Sequence, residues 1–296
     1  MTESAQTFII DHGSDMIKAG FAGDDACKPI SNLSYPIVDG IVESWEDMEK
    51  VWHHTFKKLR VDPDEAVGVF ITEAPGNSKQ NREKMTSIMF ETFKAKNVYI
   101  ALSGVMSLYA AGRTTGLACE SGHDVTHTIP VFEGFSIPDA VEKMEIAGRV
   151  LTEWMQKLLD RQGITLTLSA EMEIVRDMKE KEKFCYVAQN YEHEFAQAFC
   201  FTEKDTAYTM PDKRIVKVAG TVRFQCPELL FKPELDGYSC KSLHALTWAS
   251  VQASDVDLRK DLCKNIILSG GSTMYEGLAD RLKNEIENLA PWRAEI

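Results

Sequence analysis

The sequence has 296 residues, of which 44% are hydrophobic and 26% charged, and its formal net charge is −12. This length suffices for one large or two medium α/β domains, and the composition is typical of a globular protein. The acidic balance argues against nucleic acid as the main partner, because binding a phosphate backbone needs a dense basic surface.

The N-terminal residues and the cysteine spacing give further information on the class of protein. Residues 1–6 lack the basic and apolar regions of a secretory signal, and no apolar run approaches membrane-spanning length. The seven cysteines are scattered, with no spacing typical of a metal knuckle or a redox pair. We therefore expect reduced thiols in a cytoplasmic protein without a membrane or nucleic-acid partner.

The first predicted element is a strand, a tight turn and a returning strand at residues 8–25, FIIDHGSDMIKAGFAGDD. An apolar run reaches Asp11, the turn covers residues 12–15, and a second run covers residues 16–21. The segment that follows, residues 26–35, is short and polar and is interpreted as a connector.

Alternating helices and strands follow the first hairpin. The predicted elements are a helix beginning at the cap Ser44, a strand at 67–72, a helix at 79–93, a strand at 98–102 and a helix at 103–111. His53 and His54 on the first helix are interpreted as packing and surface positions, because no carboxylate or thiol lies at ligand spacing beside them. This order of elements predicts an α/β sheet domain.

A second acid-tipped hairpin then begins a similar series. From Gly116 an apolar run reaches Glu120, turns at residues 121–124 and leaves through residues 125–132. Internal repetition usually reports structural repetition, so we expect two similar halves facing each other. The absence of a low-complexity linker from the sequence favours halves that join tightly around a cleft.

The rest of the second half is predicted to be mainly helical. The predicted elements are helices at 149–161 and 169–183, a hairpin at 208–218, short helices at 226–231, 243–253 and 256–264, a strand at 265–269 and a helix at 277–289. The charged run at residues 179–183 is interpreted as a solvated helical face.

Three turns in the sequence combine glycine and serine. They lie in the two hairpins and at residues 270–272, and such turns can direct backbone N–H groups at a phosphate. Asp11 and Glu120, at the ends of facing strands, could hold a hydrated Mg²⁺. The same residues are equally compatible with ordinary β-turns carrying solvated acids, so spacing alone leaves both interpretations open.

Long stretches of the sequence resemble the actin family. They are GFAGDD at 20–25, YPIVDGIVESWEDMEKVWHHTF at 35–56, TEAPGNSKQNREKMTSIMFETF at 72–93, SLYAAGRTTG at 107–116, VTHTIP at 125–130, EIVRDMKEK at 173–181 and DVDLRKDLCKNIILSGGSTMYEGLADRL at 255–282. The resemblance implies an α/β, actin/hexokinase/Hsp70-like (ribonuclease H-like) fold. In that fold, duplicated domains enclose a nucleotide cleft that holds ATP or ADP with Mg²⁺ or Ca²⁺.

The resemblance also implies domain limits. They place one domain at residues 1–114 and a second at residues 115–296. The first domain is expected to be incomplete, because residues 26–35 stand where the family has a small extra subdomain. The sequence also stops before the family's final strand and helices, which return to the first domain.

Residue-by-residue matching to the family implies a nucleotide site. Its positions are Gly13, Ser14 and Lys18 in the first phosphate loop, Gly122, Val125 and His127 in the second, and Gly148, Lys179, Glu180, Gly271, Ser272, Met274 and Tyr275 around the adenosine. Asp11 and Glu120 are the expected indirect ligands of the metal ion. His127 and Ser103 occupy the expected catalytic positions.

Several of these positions depart from the family pattern. Asp15 replaces a glycine of the first loop, and it should weaken phosphate binding through its bulk and negative charge. In the second loop Glu120 and His123 replace aspartates, and Asp124 replaces a glycine. Ser103 replaces the glutamine that orients the attacking water, so we expect hydrolysis to be strongly depressed.

Two functions remain open from the sequence. The first is an actin-like cytoskeletal protein that binds ATP or ADP, with weak or lost hydrolysis and impaired self-polymerisation. The second is a non-catalytic, actin-related scaffold subunit of a larger complex, with structural nucleotide or none. Either protein would work in the cytoplasm and cytoskeleton with actin-family or actin-binding partners. A sugar or metabolite kinase is disfavoured, because the matching stretches resemble actins.

Overall fold

The computed structural model describes residues 7–24, 26–31, 35–64, 68–166, 168–200 and 204–290. Its strands are β1 Thr7–His12, β2 Met16–Phe21, β3 Lys28–Ser31, β4 Ile37–Val38, β5 Ile41–Val42, β6 Gly68–Glu73, β7 Val98–Leu102, β8 Gly116–Ser121, β9 Thr126–Phe132, β10 Phe135–Ser136, β11 Glu142–Met144, β12 Thr206–Thr209, β13 Ile215–Val218 and β14 Ile266–Ser269. Its α-helices are α1 Trp45–Leu59, α2 Lys79–Glu91, α3 Ser103–Ala110, α4 Gly148–Arg161, α5 Ser169–Glu180, α6 Tyr191–Cys200, α7 Gly220–Glu228, α8 Leu243–Ala253, α9 Arg259–Lys264 and α10 Leu278–Leu289.

Each half of the chain contains a sheet built on one of the two hairpins. In the first sheet the strand order is β3-β2-β1-β6-β7, with β1 antiparallel to β2 and parallel to β6. In the second sheet the order is β10-β9-β8-β14, with β8 antiparallel to β9 and parallel to β14. The predicted hairpins and their repetition are thus confirmed.

The two sheets have separate hydrophobic cores. In the first half, buried residues of β1 and β6 pack with those of α1 and α2, including Phe8, Ile10 and Trp52. A larger core in the second half joins α4, α7, α8 and α10 and includes Trp154 and Leu246. Helix α3 packs against the second sheet. The boundary at residues 114 and 115 stays a prediction.

Helix α1 begins where the sequence predicts. The hydroxyl of Ser44 accepts a hydrogen bond from the Asp47 N–H, and an acidic first turn suits the positive end of the helix dipole. Met48 and Trp52 lie on its buried face. His53 and His54 are exposed on the other side, in agreement with the surface positions that the sequence predicts for them.

The interpretation of residues 26–35 as a mere connector is wrong. Residues 28–31 form β3, which pairs antiparallel with β2 and buries Ile30 completely. Within Lys28–Ser31 only Ile30 is a strand-favouring apolar residue, which gives almost no strand signal by itself. The pairing with β2 therefore decides the conformation, as tertiary context often does for strands.

The predicted helices of the second half need several corrections. Helix α5 ends at Glu180, so the charged run at residues 179–183 is not a helical face, and the side chain of Lys179 is buried. Helix α7 lies at residues 220–228 and therefore begins before the predicted start at Cys226. Sequence patterns did not predict α6, and α9 is shorter than predicted.

No helix within the described part of the chain is long and apolar enough to cross a membrane.

Candidate functional site

A cleft of about 960 Å³ lies between the two sheets. Both hairpin turns line it, together with the start of α3, the end of α5 and the turn that follows β14. Every predicted site residue lies on its wall: Asp11, Gly13, Ser14, Lys18, Ser103, Glu120, Gly122, Val125, His127, Gly148, Lys179, Glu180, Gly271, Ser272, Met274 and Tyr275. The structure therefore brings all of them together, from both halves of the chain.

Asp11, near the end of β1, already has partners within the chain. Its Oδ1 accepts a hydrogen bond from Thr72 Oγ1 at 2.6 Å. Its Oδ2 lies 3.1 Å from the Nζ of Lys18, which faces it in the β1–β2 register. The cation of Lys18 therefore balances the carboxylate of Asp11.

His12, the next residue along, is a neutral acceptor. Its Nε2 accepts a hydrogen bond from Trp52 Nε1 at 2.8 Å. Burial lowers the pKa of His12 to about 4, so the ring is uncharged near pH 7. Sequence reasoning did not single out this residue.

Glu120, near the end of β8, is surrounded by serines. Ser103 donates to its Oε2 at 2.5 Å, and Ser107 and Ser269 each donate to its Oε1 at 2.9 Å. Burial raises the pKa of Glu120, while the serine hydrogen bonds oppose that shift and the negative charge of Asp11 adds to it. The hydroxyl at the predicted catalytic position 103 is therefore directed at this carboxyl group.

Asp15, at the tip of the first turn, forms an ion pair with Arg176 of α5. The two carboxylate oxygens accept separate hydrogen bonds from the two terminal nitrogens of the guanidinium group, one of them at 2.8 Å. Glu180 accepts a further bond from Arg176 Nε at 3.1 Å. The negative charge expected at Asp15 is thus balanced within the chain, and its effect on phosphate binding stays a prediction.

The second turn is closed by its own backbone. The Gly122 N–H donates to the Val125 carbonyl at 3.1 Å, and the Gly122 carbonyl accepts from the Gly148 N–H at 3.0 Å and from Ser272 Oγ at 2.8 Å. Gly270 has φ +88°, and a Cβ there would lie 2.2 Å from the Ser121 carbonyl oxygen. Only glycine fits this approach of the third turn to the second.

Charged groups flank the second turn. The Oδ1 of Asp124 lies 3.4 Å from Arg149 Nε and 3.8 Å from His123 Nε2. Burial lowers the pKa of His123, the residue that replaces an aspartate of the family pattern. The side chains at both substituted positions therefore lie in one small polar cluster.

Lys179 lies buried at the predicted adenosine side of the cleft. Its Nζ donates to the Gly148 carbonyl at 2.7 Å and to Thr152 Oγ1 at 2.9 Å. Burial lowers the pKa of Lys179, although Glu180 lies 3.6 Å away. This lysine links α5 to the start of α4, which is why a charged residue is buried here.

His127 lies on β9 and also lines the cleft. Burial, and to a lesser extent the charge of Lys143, lower the pKa of His127 to about 4, so this ring is also neutral near pH 7. Lys143 itself pairs with Asp39 of the first half at 2.8 Å. The catalytic role assigned to His127 stays a prediction.

The sequence model of the actin family matches residues 26–296. The chain belongs to the actin family. This match confirms the resemblance read from the sequence, and the α/β architecture with its repeated hairpins agrees with an actin-like fold. The first hairpin precedes the matched segment, and its place in the cleft follows from the pairing of β1 with β6.

The cleft of this actin-family chain is large enough for a nucleotide, since ligand pockets measure about 300–1,000 Å³. Its fit to a lone metal ion is poor. Among the described residues, no three His, Cys, Asp or Glu side chains are placed to hold a metal ion together. A divalent cation would therefore need phosphate oxygens as additional ligands, with Asp11 as the more accessible acid.

Several residues that contact the predicted site residues were missed by sequence reasoning, among them two serines and an arginine. Ser107 lies one helical turn after Ser103, so the spacing of four residues could have placed both hydroxyls on one face. Ser269 precedes the third glycine turn and points to the same acid. No local signal pairs Arg176 with Asp15, which lies 161 residues away.

Proposed function

We propose that this actin-family protein binds ADP or ATP in the cleft, hydrolyses ATP weakly or not at all, and self-polymerises poorly. The observation that carries the proposal is the composition of the cleft. The predicted adenosine positions converge there, whereas the predicted catalytic hydroxyl of Ser103 is bonded to Glu120. The expected binding partners are actin-family or actin-binding proteins of the cytoskeleton.

The phosphate side of the cleft supports weak binding and slow chemistry. Lys18 is paired with Asp11, and Arg176 is paired with Asp15, so an incoming phosphate competes with carboxylates of the chain itself. The side chain of Ser103 is shorter than the family's glutamine, and its hydroxyl already donates a hydrogen bond to Glu120. Since phosphoryl transfer depends mainly on positioning and electrostatics, such a site is poorly arranged to orient water.

Poor polymerisation is proposed from the segment between β2 and α1. It contributes β3 and the small β4–β5 hairpin, at the place where the family has its extra subdomain. In the family, that subdomain carries a surface that contacts the next subunit of a filament, and this chain lacks the subdomain.

A test of nucleotide binding compares two lysine variants. Lys18→Ala should weaken ATP binding about tenfold, because a charge-assisted hydrogen bond contributes about 1.5–3 kcal/mol and Asp11 already uses part of it. Lys28→Ala is the matched control, since Lys28 is exposed on the neighbouring strand and lies off the cleft wall. Isothermal titration calorimetry gives both affinities. Equal affinity of Lys18→Ala and wild type would contradict the proposed phosphate contact.

Hydrolysis and assembly need separate assays. Phosphate release should be far slower than from ordinary actin measured beside it, and electron microscopy in polymerising salt with Mg²⁺ should show no filaments. Phosphate release at the rate of ordinary actin would overturn the first expectation, and regular single-component filaments would overturn the second.

The second candidate is a scaffold subunit with structural nucleotide or none. The ion pairs Asp15–Arg176 and Asp39–Lys143 favour it, because they already join the two halves of the chain. Extraction of nucleotide from the native protein separates the first candidate from a scaffold without nucleotide. ADP or ATP in the extract excludes the nucleotide-free scaffold, and an empty cleft supports it.

A further inference from the structure

The two halves of the chain can move as separate bodies, because each has its own hydrophobic core. The first core is formed by residues between Phe8 and Ala95, and the largest core of the second half by residues between Leu117 and Ile286. The chain passes directly from β7 into α3 at residues 102 and 103. Helix α3 packs against β8 and β9 of the second sheet, with Leu102 at the end of β7 beside it. Bodies joined by so small an apolar contact are expected to move relative to each other unless other contacts hold them.

Among the described residues, two ion pairs link these halves across the cleft. Asp15 pairs with Arg176, and Asp39 pairs with Lys143. The second pair is the more exposed, with side-chain exposures of 44% for Lys143 and 36% for Asp39. Exposed pairs contribute about 0–1 kcal/mol at most sites, so the Asp39 pair is expected to be the weaker link.

The Asp15–Arg176 pair has the features of a strong ion pair. It is bidentate, which fixes direction as well as distance. The side chains are only 21% and 16% exposed for Arg176 and Asp15, so solvent screens their attraction less. Glu180, four residues after Arg176 on α5, holds the guanidinium group from its other edge. Less conformational entropy is therefore lost when Asp15 binds.

We propose that the Asp15–Arg176 ion pair is an intramolecular clasp that holds the cleft closed in the absence of any nucleotide. Asp15 lies at the tip of the first hairpin, and Arg176 lies one turn before the end of α5, so the pair connects the two halves directly. A ligand that bound both the first hairpin and α5 would connect two elements that the ion pair already connects. The clasp does not depend on the proposed nucleotide binding.

The test measures the separation of the two halves in nucleotide-free protein. Cys27 in the first half and Cys240 in the second are exposed, whereas Cys119, Cys185, Cys226 and Cys263 are buried. Spin labels on Cys27 and Cys240, in protein carrying Cys200→Ser, report the distance between the halves by double electron–electron resonance. Wild type should give one narrow distance distribution.

Loss of the clasp should open the cleft. In Asp15→Asn we expect a second, longer distance, with the open-to-closed ratio raised about tenfold, which corresponds to about 1.4 kcal/mol. The swap of Asp15→Arg with Arg176→Asp should restore the single distance. Asp212→Asn is the matched control, because it breaks an exposed ion pair with Arg214 away from the cleft.

Three results would overturn the clasp. They are identical distance distributions in wild type and Asp15→Asn, a broad distribution already present in nucleotide-free wild type, and an equal opening in Asp212→Asn. Because nucleotide is absent throughout, failure here leaves the nucleotide proposal standing, and failure of nucleotide binding leaves the clasp standing.

Discussion

The two acid-tipped hairpins have the same backbone arrangement, but the acid has a charged partner in the first and uncharged partners in the second. In each, an acid near the end of the first strand faces the cleft, and that strand also pairs in parallel with a later strand. Asp11 of the first hairpin is balanced by a cation, Lys18. Glu120 of the second is bonded by three hydroxyls that carry no charge.

This difference shows that the fold sets where an acid lies, while its neighbours set its charge. The carboxylate of Asp11 is partly open to water and lies 3.1 Å from the ammonium group of Lys18. A buried carboxyl group held by hydroxyls has a raised pKa and ionises less readily. The carboxylate of the first hairpin is therefore the more accessible oxygen donor for a hydrated divalent cation.

The largest expected effect comes from removing the carboxyl group of the second hairpin. Glu120→Ala leaves three serine hydroxyls without their acceptor and opens a cavity, so the free energy of unfolding should fall by about 3 kcal/mol. Glu120→Gln keeps an acceptor oxygen and the side-chain shape, and should change it by less than about 1 kcal/mol. Denaturant unfolding measures both. An equal loss in the two variants would show that the charge of Glu120, rather than its shape, stabilises the site.

The next effect concerns pH and the histidine beside the first acid. The pKa of His12 is about 4 in the folded protein and 6.5 ordinarily, so the unfolded chain binds the proton more readily between these values. The contribution of His12 to the free energy of unfolding is therefore fully present above pH 6.5. About 3 kcal/mol of it is lost as the pH falls toward 4. His12→Gln should remove this share of the pH dependence. Thermal melts between pH 4 and 7 measure it.

The control for this pH effect is an exposed histidine on α1. His54→Gln is the matched substitution, because it removes an imidazole that lies at the surface. If His12→Gln retained the full acid lability, the buried neutral ring would not be its source.

The smallest effect is expected at the acid of the first hairpin. Asp11→Ala removes hydrogen bonds from Thr72 and Lys18, but Lys18 can return to water, so the unfolding free energy should fall by about 1 kcal/mol. Denaturant unfolding beside Glu120→Ala makes the comparison direct. A loss as large as that of Glu120→Ala would erase the proposed difference between the hairpins.

The parts of the fold that the sequence predicts are those with local signals. Both hairpins follow from β-rich runs around glycine turns, and α1 follows from its cap Ser44 and its buried stripe. Strand β3 could not be predicted, because its conformation depends on pairing with β2. Helix α6 lacks the clean apolar periodicity that identifies α1.

The site was predictable in its positions but not in its interactions. Family resemblance named residues that the structure places around one cleft. It could not name the partners, because the pairing of Asp15 with Arg176 spans 161 residues. Asp15 is the sharpest case, since its added charge is visible in the sequence and its neutralisation is not. The charge of a site depends on contacts that a residue-by-residue match does not contain.

Strand β3 has a consequence for association of this protein. It is the outermost strand of the first sheet, and an exposed edge normally presents N–H and carbonyl groups to which another chain can add a strand. Pro29 in its middle has no N–H to donate, and Lys28 places a positive charge beside it. The edge therefore resists strand addition.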